Sequence, residues 1–144
     1  MAGELALPAG SAVVVDTAPV IYLLEGNEQY LPRFLPVFQA AERGELRIFI
    51  TPITLAEVLV GPLKARKHAL AERYEQALTQ GLGWTVTELT ASTGARAARL
   101  RSRYGLRLPD AIQLAVCLER GAAALVTHDR DYRPAAKEVA VWGM

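Results

Sequence analysis

The sequence predicts an α/β fold, a mostly parallel sheet between helical layers, on two observations. Short β-branched apolar runs alternate with helical stretches along the whole chain, and that alternation is the mark of βαβ units. Several of these runs are apolar throughout, as strands covered on both faces are. AVVVD (12–16) reads as the first buried strand, ending in a carboxylate. Pro19 opens a short helix through Leu24, closed at Gly26, and residues 29–43 form a second helix stopped at Gly44.

RIFI (47–50) is the next strand. Thr51-Pro52 then starts the helix ITLAEVLVG in the manner of a cap followed by proline in the first turn. PLKARKHALAERYEQALTQG (62–81) reads as one long amphipathic helix, and TVTEL (85–89) alternates like a strand. Helices follow over 91–104 and 109–120, separated by Gly105, then a buried strand AALVT (123–127) and a last short one, VAVW (139–142). Without repeats, low-complexity tracts or linkers, residues 1–144 are expected to form a single domain with its core at about 12–142.

Composition narrows the function classes. Hydrophobic residues make up 51% and charged residues 22%, values of a globular chain. One cysteine, Cys117, leaves no internal disulfide and suits a reducing, cytoplasmic setting. His68 and His128 have no zinc-ligand spacing. MAGELALPAG lacks the basic and apolar regions of a signal peptide, and no apolar run is long enough to span a membrane. A net charge of +1 announces no nucleic-acid binding by itself.

Four acids stand at telling places. Asp16 ends the first strand, and Glu57 interrupts the apolar helix TLAEVLV, where it is expected to be buried. Asp110 lies in the first turn of LPDAIQLAVCL, and Asp129 follows the fourth strand in VTHDRDY, with Asp131 two residues on. Taken singly, Asp110 is as well explained as a helix cap, Asp129 as a turn residue, and Asp16 as half of a distant salt bridge. Taken together, acids at strand ends and helix starts of a parallel sheet can converge on one cleft. Two carboxylates about 5 Å apart repel by roughly 3 kcal/mol at an effective dielectric near 20. A cluster therefore needs protons or cations, and oxygen donors alone select Mg²⁺ or Mn²⁺. The chemistry that follows is metal-assisted hydrolysis of a phosphodiester. An aspartyl-phosphate motif would need an acid at Ala18, and no nucleophile elbow, P-loop or dinucleotide fingerprint is present.

VVVDTAPVIYLLEG, ITLAEVLVG, GLRLPDAIQLAVCLERG and ALVTHDRDY, in that order and spacing, closely resemble the PIN-domain nucleases, particularly the VapC-type ribonuclease toxins of toxin–antitoxin pairs. The resemblance implies a three-layer α/β/α fold with a five-stranded parallel sheet. It implies that Asp16, Glu57, Asp110 and Asp129 are the catalytic quartet binding one or two Mg²⁺ or Mn²⁺ ions, with Thr17 supporting the site. It also implies an RNA substrate, a homodimer and a cognate antitoxin lying across the cleft. The fourth motif departs from the usual pattern, with His128 where Asn is common and Tyr132 where Phe is, and Asp129 is preferred over Asp131 as fourth ligand. Ala18 likewise stands where a small polar residue is often found.

Arg96, Arg99 and Arg103 share a helix face and, with Arg107, are candidates to follow an RNA backbone, against a plain reading as a solvated face. Lys64, Arg66, Lys67 and His68 form a second basic patch past Glu57, and Trp84 and Trp142 are expected to pack the ends of the sheet. The rival functions are a non-catalytic PIN-fold module binding RNA or antitoxin, and a DNA-directed nuclease.

Overall fold

The computed structural model describes residues 6–144; residues 1–5, at the head of the stretch read as no signal peptide, lie outside it. Five strands, β1 (Ser11–Val15), β2 (Leu46–Ile50), β3 (Trp84–Val86), β4 (Ala124–Val126) and β5 (Val141–Trp142), form one sheet in the order β3-β2-β1-β4-β5. Every pairing is parallel, with Val13 set between Ile48 and Ala124. Strand side chains alternate between faces, so the apolar runs supply two cores at once. Val13, Val15, Ile48 and Ile50 face a layer built by α1 (Thr17–Glu25), α2 (Leu31–Glu42), α3 (Pro52–Lys64) and α4 (His68–Gln80), through Val20, Phe34, Phe38, Val58 and Leu78. Ala12, Val14, Phe49 and Leu125 face α5 (Ala91–Tyr104) and α6 (Leu108–Glu119), through Ala97, Leu100 and Leu114. A 3-10 helix over Arg130–Ala135 closes that second layer by burying Tyr132. The fold is the three-layer α/β/α arrangement expected from the sequence.

The last strand is shorter than the expected 139–142 and the first helix starts at Thr17 rather than Pro19, and two further elements differ more from the sequence reading. The stretch 62–81 is two helices, because α3 runs through Gly61 and Pro62 to Lys64 before the chain turns at Arg66, whose φ is 58°. Proline removes only one helical N–H donor here. The turn is closed instead by the Arg66 and Lys67 amides, which donate to the Leu63 and Pro62 carbonyls at 3.0 and 2.8 Å. The strand expected at 85–89 is shorter and starts earlier, at Trp84, because Thr87 is the last residue whose amide reaches β2, donating to the Ile50 carbonyl. Trp84 stacks on Phe38 at one sheet edge, and Trp142 meets Phe34 edge-on at the other.

The strand order fixes where a site can lie. From β1 the chain proceeds outward to β2 and β3, then crosses back over the opposite face through α5 and α6 to add β4 beside β1. The carboxyl ends of β1 and β4 therefore flank the point where the winding reverses, the customary binding crevice of an open parallel sheet.

Candidate active site: an acid cleft at the strand switch point

Asp16 is the first residue past β1, and its amide donates to the Val126 carbonyl at 2.8 Å, fastening it to the end of β4. It also caps α1, its Oδ1 accepting from the Thr17 amide at 2.9 Å. That helix-cap role exists, yet it accounts for only part of the surroundings. Oδ1 accepts a second bond from the Gln113 side-chain amide at 3.2 Å, and Oδ2 accepts from the Thr127 hydroxyl at 2.8 Å. The residue is 9% exposed. Burial pushes its carboxyl above the usual carboxylate range, while these hydrogen bonds oppose the shift.

Gln113 is the keystone of this corner and was not anticipated. Its amide nitrogen also donates to Thr54 Oγ1 at 2.6 Å, and its oxygen accepts from the Thr51 hydroxyl at 2.8 Å. Thr51 in turn caps α3 by accepting from the Thr54 amide. One side chain on α6 thus ties together the strand-end acid and the start of α3. Its only sequence signal is a polar residue on the apolar face of LPDAIQLAVCL, three positions after Asp110. Thr127 was missed likewise, although it ends β4 much as Asp16 ends β1.

Asp110 sits in the first turn of α6, where the helix dipole favours an acid. It is nearly buried; its Oδ2 accepts from Arg107 Nε at 3.1 Å and its Oδ1 from the Tyr132 hydroxyl at 3.3 Å. Burial raises its carboxyl pKa, and Arg107 works against that rise. Tyr132, the departure from the usual phenylalanine, thereby adds a hydrogen bond to the site. His128, the other departure, turns away to Tyr22, whose hydroxyl lies 2.8 Å from its Nδ1.

Asp129 is half-buried, its Oδ2 lying 3.6 Å from the Arg107 guanidinium and its Oδ1 accepting from the Asp131 amide at 2.8 Å. Asp131 itself is exposed and does not line the cleft. Glu57 requires a correction. Only Thr54 and Val58 of α3 are buried, and Glu57 is exposed at the cleft rim rather than enclosed by apolar neighbours. Its Oε1 accepts from the Thr17 hydroxyl at 3.4 Å, and desolvation together with repulsion from Asp16 raises its pKa. Thr17 also meets Thr54 Oγ1 at 3.1 Å.

Asp16, Thr17, Glu57, Asp110 and Asp129 all line one cleft, and among the described residues the only cation lining it is Arg107. Among the described residues no group of three or more His, Cys, Asp or Glu side chains is gathered closely enough to hold a metal ion. The donor chemistry nevertheless fits a hard cation. Four carboxylates face one arginine, and Asp16 and Asp110 are kept from water, so the cleft carries uncompensated negative charge that a divalent ion would relieve. The four arginines expected to follow RNA do not line one depression. Arg107 bridges the acids, whereas Arg96, Arg99 and Arg103 border a separate depression with Leu118 and Glu138.

No curated protein sequence matches the chain. Among solved structures it is similar to a toxin–antitoxin complex from Klebsiella pneumoniae, with 28% identity over 83% of this chain and 89% of that one and a TM-score of 0.66. VapBC2 from Rickettsia felis bound to a DNA fragment from its promoter shares the fold, with 16% identity, 91% and 98% of the two chains covered, and a TM-score of 0.70. So does VapC20 from Mycobacterium tuberculosis, a Sarcin-Ricin loop cleaving toxin, with 17% identity, 85% and 94% covered, and a TM-score of 0.66. The family model for the PIN domain matches residues 13–138, a span that contains all four cleft acids. With the parallel sheet and its switch-point cleft, that match shows that the chain belongs to the PIN domain family.

Proposed function

We propose that the chain is a Mg²⁺- or Mn²⁺-dependent endoribonuclease of the VapC toxin kind, hydrolysing RNA phosphodiester bonds. The observation that carries this reading is the convergence of four carboxylates, from β1, α3, α6 and the β4 loop, on a cleft with a single arginine. Asp16 and Asp110 would be the principal ligands, with Glu57 and Asp129 completing the set. A bound ion supplies positive charge to a phosphate oxygen and eases deprotonation of the attacking water.

The chain's own residues do the rest. Thr127, Gln113 and the Thr17 amide hold Asp16 in one orientation, so its oxygens need no reordering when an ion arrives. The Tyr132 hydroxyl does the same for Asp110, and the Thr17 hydroxyl draws Glu57 toward the rim. Arg107 neutralises part of the acid charge on the α6 side and limits the repulsion a phosphate would meet there.

The similar toxin–antitoxin complexes support one further part of the reading, an antitoxin partner; a homodimeric toxin acting in the cytoplasm, its cleft covered by that antitoxin, completes the proposal. No described helix is long and apolar enough to cross a membrane. Asp16→Asn keeps the side chain's shape and removes its charge. The variant is expected to lose Mn²⁺-dependent cleavage of RNA by about 100-fold or more, with an unchanged far-UV circular dichroism spectrum. Retained cleavage by a clean preparation overturns the assignment.

A further inference from the structure

Beside the acid cleft lies a second, shallower groove, walled by Tyr104, Arg107, Arg130, Asp131 and Arg133. Arg107 lines both depressions, so they adjoin at that side chain. Arg130 and Arg133 are exposed, and neither is paired with a carboxylate among the described residues. With Arg107 engaged by Asp110 and Asp129, two unpaired arginines against Asp131 still leave the groove positive. Among the described residues the cleft's other non-acidic lining, Thr17, Ala18, Ile21 and Pro109, carries no cation. A polyanion with one phosphate at the acids therefore meets favourable charge immediately beyond Arg107, whereas Lys64, Arg66 and Lys67 line neither depression. The α5 arginines are poorer candidates, because their depression shares no residue with the cleft and Arg103 lies 3.4 Å from Glu138.

Resting on the nuclease reading, we propose that the groove of Arg107, Arg130 and Arg133 is the subsite for the phosphate backbone of a single-stranded RNA leaving the acid cleft. Arg130 and Arg133 hold flanking phosphates as bidentate donors, and Arg107 marks the boundary with the phosphate to be cut. Contacts of this kind position a strand and carry little sequence information. They also ignore the sugar.

The test measures binding without metal, so cleavage plays no part. A fluorescent single-stranded RNA oligonucleotide, and DNA of the same sequence, are titrated with the full chain in EDTA across a salt series. Loss of two phosphate contacts is expected to weaken Arg130→Ala/Arg133→Ala by roughly 20-fold near 0.1 M salt and to flatten the log–log salt slope by about 1.4. The loss should be equal for both strands. Arg96→Ala/Arg99→Ala should bind as the wild type does, and an unchanged melting temperature in both variants shows that the fold is kept. The groove assignment is overturned if the wild type binds neither strand, if the α5 pair carries the loss, or if the loss is confined to RNA. Cleavage with Mn²⁺ but undiminished binding by the Arg130/Arg133 variant keeps the nuclease and removes the groove. Binding through that pair without cleavage does the reverse.

Discussion

Asp16 is held by three hydrogen bonds in a place that penalises its charge. The two facts separate in an Asn variant, which keeps the shape and drops the charge. Asp16→Asn without metal should melt higher than the wild type at pH 7.5, by roughly 3 °C, or about 1 kcal/mol for a chain of this size. The sign with pH follows from the raised carboxyl. A group whose folded pKa lies above its unfolded one costs stability when charged, and that cost disappears as pH falls through the folded value toward the ordinary range near 4. The Asn advantage should therefore shrink on acidification, which parallel thermal melts would read; an advantage that grows toward pH 4 contradicts the burial account. Arg107 behaves oppositely to its neighbours, being exposed yet engaged by two acids. Arg107→Ala should tighten Mn²⁺ binding by about fivefold in calorimetry, a discounted figure because an exposed guanidinium is screened. That Asp16, Asp110 and Asp129 share a cleft was legible in the sequence only from their joint placement at strand ends and a helix start, since each alone has an ordinary cap, turn or ion-pair explanation. The hydroxyls and the amide that orient them were not, since Thr127 and Gln113 lie 111 and 97 residues from Asp16 and neutral polar side chains carry no local signature.

At the scale of elements, strands and layers followed from apolar runs whose alternation feeds two cores, so their existence depended on little beyond burial. Boundaries depended on local hydrogen bonds. Gly61-Pro62 looked like a helix end, yet α3 continues to Lys64 because Pro62 lies within its last turn, and the chain turns only at Arg66. The exposure of Glu57 was hidden for a related reason: TLAEVLV is apolar by composition, but Val60 and Leu63 of α3 are themselves exposed, at 45% and 46%. Gln113 joins α6 to α3 and to the end of β1. Gln113→Leu removes those bonds at nearly constant volume and leaves Thr51, Thr54 and one oxygen of Asp16 short of a partner. The expected cost is about 2 kcal/mol, from three buried hydrogen bonds lost while each group keeps one other partner, read as a lower denaturation midpoint with unchanged slope. A loss below about 0.5 kcal/mol would mean that water replaces the amide without penalty.

For the molecule as a whole, the cleft and the fold are thermodynamically linked. The sheet brings together acids that repel one another, so the metal-free protein folds against part of its own charge, and anything that binds the folded acids returns that energy as stability. A divalent ion at 100 times its Kd stabilises by about 2.7 kcal/mol, which in a chain of this length raises the melting temperature by roughly 5–10 °C. Protons compete for the same oxygens. Because Asp16, Asp110 and Glu57 all hold protons more readily than ordinary carboxyls, the metal-induced rise should already be weaker at pH 5 than at pH 7.5, while the metal-free protein loses repulsion over the same interval. Two melting series, with Mn²⁺ and with EDTA, should therefore converge as the pH falls. Asp16→Asn should show little separation between them at any pH. Series that stay parallel across this range, or an Asn variant that still gains the full shift, would place ion binding somewhere other than the switch-point cleft.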